Sequence, residues 1–203
     1  AHGGSGLDFG LIEAMRSFSP RNTNLELVHR LDRETSGCIL LAGRRSALRE
    51  LHRQFREREV EKHYLALVQG QWPTALKRVD APLLKTTSEA GERMVKVHRD
   101  GQSAVTQFKV LQRFTNATLV QASPVTGRTH QIRVHALHAG HPLFGDDRYG
   151  ERSANKACRQ QGLKRLFLHA ASLSFTNMAD ERITAEAELD QNLQSFLERL
   201  GRA

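Results

Sequence analysis

The segment VHRLDRETSG, from Val28 to Gly37, sets one carboxylate among arginines. Asp32 lies between Arg30 and Arg33, shortly before a turn-prone Thr-Ser-Gly sequence. Nearby guanidinium groups favour the ionised form of a carboxylate, and an ionised carboxylate can act as a nucleophile. Guanidinium groups also bind phosphate. The motif therefore has two interpretations: a nucleophile directed at nucleic acid, or a structural ion pair at the end of a strand.

A second segment, SPVTGRTHQIRVHALHAGHP, joins a glycine turn to a predicted short helix. Arg133 stands in this helix between Ile132 and Val134, so we expect its side chain to be partly buried. A buried guanidinium needs a carboxylate partner, because an unpaired buried charge is costly. Asp32 is a candidate partner for Arg133.

The same segment contains four histidines, which raises the possibility of a zinc site. They are His130, His135, His138 and His141. Their spacing lacks the interposed glutamate or the downstream cysteine pair that accompanies common zinc motifs. We therefore predict no metal site.

Tyr64 is one of only two tyrosines and lies in the apolar segment HYLALVQ, which is typical of a strand. Its ring could simply pack in the core. It could also present an aromatic face to a nucleic-acid base.

Composition limits the class of protein. The 203 residues are 39% hydrophobic, enough for one domain or a closely joined pair, and carry a formal net charge of +8. A basic surface suits a polyanionic partner, although it can also serve solubility. The two cysteines are isolated, which fits a reducing cytoplasm, and no apolar run approaches the ~18 residues of a membrane span. We expect a cytoplasmic protein without membrane association.

The pattern of apolar residues predicts an α+β fold with a mixed, mostly antiparallel central sheet flanked by helices and loops. The residues 85–93 are predicted to form a polar loop. Strands are predicted at residues 25–28, 38–42, 63–69, 94–98, 105–111, 117–122, 166–175 and 183–189, and helices at 46–59, 129–140, 152–161 and 193–200.

Five segments in order resemble the signature segments of the RluA family of RNA pseudouridine synthases: HRLDRETSG, EKHYLALVQG, GRTHQIRVH, GHPLFGDDRYG and RLFLHAASL. The resemblance runs from about residue 2 to 189. It implies the pseudouridine synthase catalytic fold over residues 1–203, and isomerisation of specific uridines in large-subunit ribosomal RNA. It implies no cofactor. A monomer is expected.

The resemblance also implies roles for individual residues. Asp32 would be the nucleophile, and Arg30 would enter the RNA helix in place of a flipped uridine. Tyr64 would stack on the uracil and assist removal of the C5 proton, while Arg133 would form an ion pair with Asp32. Arg128 and His130 are further predicted to bind RNA. Leu166 and Leu168 are predicted to form a wall of the base pocket.

Two further expectations concern the limits of the chain and the rival function. Family members begin with a strand that has no counterpart here, and many carry an N-terminal S4 RNA-binding domain, so both are expected to be missing. The rival from another class is a non-catalytic module for ribosomal RNA binding or ribosome assembly, in which Asp32 only braces Arg30 and Arg133.

Overall fold

A seven-stranded sheet organises the fold in the computed structural model, which describes residues 10–18, 24–87 and 91–201. Its strands, with those of two small sheets, are β1 (Glu26–Leu27), β2 (Ser36–Gly37), β3 (Leu41–Ala42), β4 (Glu61–Gln69), β5 (Arg78–Asp80), β6 (Leu83–Thr87), β7 (Arg93–Val97), β8 (Val105–Phe114), β9 (Ala117–Pro124), β10 (Leu168–Thr176) and β11 (Arg182–Glu186). The helices are α1 (Leu11–Ser17), α2 (Arg45–Glu57), α3 (Gln131–His138), α4 (Arg152–Gln160) and α5 (Gln191–Arg199).

The order of strands in the main sheet is β11-β10-β4-β9-β8-β5, and β2 pairs with β10 outside this path. Among the described strands of this sheet, β2 and β10 pair parallel and the other neighbours pair antiparallel. The predicted α+β fold with a mixed, mostly antiparallel sheet is therefore confirmed.

Strand β4 divides the core into two layers, because successive side chains of a strand point to opposite faces. Ala66 and Val68 pack in a cluster that contains Ile132 of α3. Leu67, between them, packs in a second cluster with Phe196 of α5. Helix α3 therefore covers one face of the sheet, and α4 and α5 cover the other.

The β6–β7 hairpin shows that the prediction of a polar loop over 85–93 is wrong. Leu83–Thr87 and Arg93–Val97 pair antiparallel, and residues 88–90 lie outside the described ranges. Leu83 and Val95 pack against Val134 of α3, so the burial of a few alternate side chains holds this otherwise polar segment in strands.

Several predicted elements differ in their limits. The strand predicted at 38–42 is reduced to β3, and α3 begins at Gln131 because His130 adopts a left-handed backbone with φ of 53°. Elements α1 and β5 are absent from the sequence-based prediction. No helix within the described ranges is long and apolar enough to cross a membrane.

Candidate active site

The loop between β1 and β2 presents Asp32 to a cavity of about 240 Å³. A turn closes the loop, since the Thr35 amide donates to the Asp32 carbonyl over 3.0 Å. The loop is then fixed at Gly37, which pairs with Ala170 of β10. The Asp32 side chain is 19% exposed, so its carboxylate is shielded but reachable from the cavity.

Arg133 of α3 contacts two carboxylates. Its Nε and Nη2 donate to the two oxygens of Asp146, each over 2.7 Å. Its Nη1 lies 3.5 Å from Oδ2 of Asp32. The expected contact between Arg133 and Asp32 is present, but the closer partner of Arg133 is Asp146.

Asp146 is fully buried and was not among the residues singled out in the sequence. Its Oδ1 also accepts the backbone amides of Arg148 and Tyr149, both over 3.0 Å. The preceding Gly145 has φ of +72° and lies so close to the Arg165 carbonyl that a Cβ would stand 2.1 Å from that oxygen. The GDDRYG part of the fourth signature segment could have pointed to the pair Asp146 and Asp147, but not to which of the two is buried.

The charges around Arg133 reinforce this arrangement. Burial alone lowers the pKa of Arg133, but the hydrogen bonds and charge of Asp146, together with the charge of Asp32, outweigh it and raise the pKa. The guanidinium also lies over the Tyr149 ring, with its Cζ 5.0 Å from the ring centroid. Arg133 is thus a fixed cation, and one of its edges remains available to Asp32.

Tyr64 lies in β4 and lines the same cavity as Asp32. Burial raises the pKa of Tyr64 to about 12, and the negative charge of Asp32 contributes. The phenol is therefore protonated at neutral pH.

His130 precedes α3 and faces the cavity. Its Nδ1 lies 2.7 Å from the Tyr149 hydroxyl, and that hydroxyl also accepts the Val95 amide. Burial lowers the pKa of His130, although the Asp32 charge opposes the shift.

The cavity brings together most of the predicted site residues. Arg30 and Arg128 are exposed at its rim, and Leu168 lines its wall. Leu166 does not line the cavity, because its side chain is fully buried in the core cluster that also holds Ile132. The prediction of Leu166 as a wall of the base pocket is therefore wrong. The lining residues are His29, Arg30, Leu31, Asp32, Thr35, Phe55, Lys62, Tyr64, Pro124, Thr126, Gly127, Arg128, Thr129, His130, Gln131, Ile132, Arg133 and Leu168.

The other three histidines of the second segment have separate surroundings. His135 is buried between the Thr106 hydroxyl and the Ala81 carbonyl, at 2.8 and 2.9 Å. His141 contacts the Gln69 carbonyl over 2.8 Å, and His138 is exposed. These contacts give His135 and His141 structural partners.

A model of the RNA pseudouridylate synthase family matches residues 12–138, which include Asp32, Tyr64 and Arg133. The chain belongs to this family. Ribosomal large subunit pseudouridine synthase C from Yersinia pestis is 56% identical over 197 residues, which is 97% of this chain and 62% of the relative. The Escherichia coli K12 protein of the same name is 54% identical over 205 residues, 100% of this chain and 64% of the relative. The chain thus spans less than two thirds of the length of these relatives.

Solved structures of this family share the fold. Human RNA Pseudouridylate Synthase Domain Containing 1 superposes with a TM-score of 0.78 at 28% identity, covering 100% of this chain and 82% of that one. Human RNA Pseudouridylate Synthase Domain Containing 4 superposes with a TM-score of 0.70 at 29% identity, covering 86% of this chain and 75% of that one. The pseudouridine synthase fold predicted from the signature segments is confirmed.

Proposed function

We propose that this pseudouridine synthase family member isomerises uridine to pseudouridine in large-subunit ribosomal RNA, with Asp32 as the nucleophile. The observation that carries the proposal is the position of Asp32 at the cavity, 3.5 Å from an arginine whose other donors are held by Asp146. A cation fixed in this way holds the nearby carboxylate in one orientation at the cavity. The names of the curated relatives support the substrate.

The reaction rearranges atoms without adding or removing any. The N1–C1′ bond breaks and its electron pair stays on the uracil, the ring turns within the cavity, and a ring electron pair forms the C5–C1′ bond. The proton on C5 leaves, and N1 gains a proton. Asp32 can contribute by adding to uracil C6, by adding to C1′, or by removing a ribose proton.

A stacked uridine cannot reach Asp32, so the nucleotide is flipped out of the RNA helix. Flipping costs a few kcal/mol, which contacts to the emptied helix and to phosphates offset. Arg30 is exposed at the cavity rim and is proposed to replace the flipped base. Arg128 shares this rim, and His130, which also lines the cavity, is proposed as a further polar contact to RNA.

Tyr64 is proposed to stack on the uracil, since its ring lies on the cavity side of β4. Because its pKa is about 12, its hydroxyl can take the C5 proton only if it passes its own proton to another group. Leu168 is proposed to close the apolar side of the same pocket.

We further propose that residues 1–203 form one catalytic domain that works as a monomer in the cytoplasm and requires no cofactor. The free thiols of Cys38 and Cys158 suit a reducing compartment.

The test uses large-subunit ribosomal RNA fragments containing 5-tritiated uridine. The expected result is release of tritium, with pseudouridine detected in RNA of unchanged length. Binding without tritium release would support the non-catalytic RNA-binding module instead. Shortened RNA would indicate a nuclease.

A further inference from the structure

Lys62 is a cation of the cavity that the signature segments leave without a role. It lies on β4 two residues before Tyr64, so the two side chains share one face of the sheet, and both line the cavity. Arg30 and Arg128, which also line the cavity, are exposed, whereas Lys62 is largely shielded from solvent.

Among the described residues, no carboxylate forms an ion pair with Lys62. Burial lowers its pKa, and no negative charge offsets the effect. Its Nζ lies 5.6 Å from the centroid of the Phe55 ring, which is a weak partner compared with a carboxylate. Arg133, by contrast, is held by two carboxylates. Within the described part of the chain, Lys62 is thus a shielded cation without a carboxylate partner.

The neighbouring His29 does not change this balance. Its ring stacks on Phe55 at 5.1 Å, and its Nε2 accepts the Leu40 amide. Burial and the charge of Lys62 lower the pKa of His29 to about 4, so the imidazole is neutral at neutral pH. The positive charge on this side of the cavity therefore belongs to Lys62.

The proposed isomerisation places a negative charge inside the cavity. When N1–C1′ breaks, the electron pair stays on the uracil and is shared with its carbonyl oxygens. Addition of Asp32 to C6 would also place negative charge on the ring. A cation in a site of low dielectric constant stabilises such charge more than one at the surface. The exposed Arg30 and Arg128 are better placed than Lys62 to bind RNA phosphates.

We propose that Lys62 is a further catalytic residue, which binds a carbonyl oxygen of the flipped uracil and stabilises the negative charge on the ring until C5–C1′ forms. This inference rests on the proposed function.

The test compares Lys62→Met and Lys62→Arg with wild type. Lys109→Met is the matched control, because Lys109 is exposed on β8 and lies outside the cavity lining. Two quantities are measured for each protein: the Kd for an active RNA fragment, and the single-turnover rate of tritium release at saturating protein. Circular dichroism and urea unfolding check the fold. If Lys62→Met does not fold, Lys62→Gln takes its place.

The expected result is a rate reduced about 100-fold in Lys62→Met, with Kd within about threefold of wild type. Lys62→Arg should restore at least a tenth of the rate, because it keeps the charge, and Lys109→Met should match wild type. A purely structural role would not separate rate from Kd in this way.

Two results would overturn the role of Lys62 alone. One is a Lys62→Met rate within about threefold of an active wild type. The other is a Lys62→Met protein that binds RNA more weakly and with a smaller salt dependence, but has an unchanged rate at saturation. That result would identify Lys62 as a phosphate contact. A wild type that releases no tritium would overturn the proposed function and this inference together.

Discussion

Arg133 is the residue on which the geometry of the site depends, because it divides its donors between Asp146 and Asp32. The bidentate bond to Asp146 is short and buried, whereas the contact with Asp32 is longer and faces the cavity. Asp146 therefore holds Arg133 in place, and the proposed mechanism leaves Asp32 free to react.

The adjacent residues Asp146 and Asp147 allow a matched test of this division. Asp146→Asn should lower the free energy of unfolding by about 3 kcal/mol or more, because it leaves a buried guanidinium without its main partner. It should also lower the rate of pseudouridine formation, since Arg133 is then free to move. Asp147→Asn removes only an exposed ion pair with Arg159 and should cost at most about 1 kcal/mol. Urea unfolding and tritium release provide the two measurements, and equal losses in both variants would contradict the assignment.

The neutral state of His29 leads to a prediction about pH. Its pKa is about 4 in the folded protein against 6.5 for an unperturbed histidine, so the unfolded chain takes up a proton first as pH falls. The contribution of the neutral His29 to the free energy of unfolding is therefore fully present above about pH 6.5 and is lost as pH falls toward 4. The variant His29→Gln retains an acceptor for the Leu40 amide. Between pH 7.5 and 5 it should lose about 2 kcal/mol less of its free energy of unfolding than wild type. Urea unfolding at the two pH values measures the difference, and identical losses would refute it.

At the residue scale, the sequence predicts the members of the site better than their pairing. Asp32, Tyr64 and Arg133 are identified by the resemblance of their segments. Asp146 and Asp147 are indistinguishable in the sequence, because only the fold buries one and leaves the other 58% exposed.

At the scale of elements, β2 connects the Asp32 loop to the main sheet. Gly37 of β2 has φ of +103°, and a Cβ at this position would lie 2.2 Å from the Ala170 carbonyl. The parallel pairing of β2 with β10 therefore requires a glycine.

Gly37→Ala should accordingly disturb both the fold and the site. We expect a loss of about 3 kcal/mol or more in the free energy of unfolding, because the clash is with backbone atoms and the backbone conformation is strained. Tritium release should fall as well, since the Asp32 loop moves with β2. Gly43→Ala is the control: the nearest atom to a Cβ there is a Leu25 methyl group at 4.0 Å. A Gly37→Ala protein as stable and active as Gly43→Ala would show that β2 does not position the loop.

The elements that depend on strong local patterns are predicted well. Strand β4, strands β8 and β9, and helix α2 lie close to their predicted ranges, since each has a clear apolar periodicity. The β6–β7 hairpin and the short α1 and β5 are not predicted, because few apolar side chains mark them and their conformation depends on packing with distant parts of the chain.

At the scale of the whole molecule, the sheet and α3 bring together residues that are distant in sequence. Tyr64 comes from β4, Arg133 from α3, and Asp32 and Asp146 from two loops. The order of the signature segments predicts the fold, but the distances among these residues depend on the register of the strands and on the packing of α3, which no local pattern records. The exposed Arg30 and Arg128 place part of the net charge of +8 at the cavity rim, where RNA is proposed to bind.

The most direct test of the proposed chemistry is the single-turnover rate of tritium release by Asp32→Asn, measured beside Glu34→Gln. Glu34 is an exposed carboxylate of the same loop and lies outside the cavity lining, so its variant controls for a change of charge. We expect Asp32→Asn to fold and to bind RNA within about threefold of wild type, while its rate falls by at least about 10³-fold and Glu34→Gln remains active. A measurable rate for Asp32→Asn above a trace of wild type would contradict the assignment of Asp32 as the nucleophile.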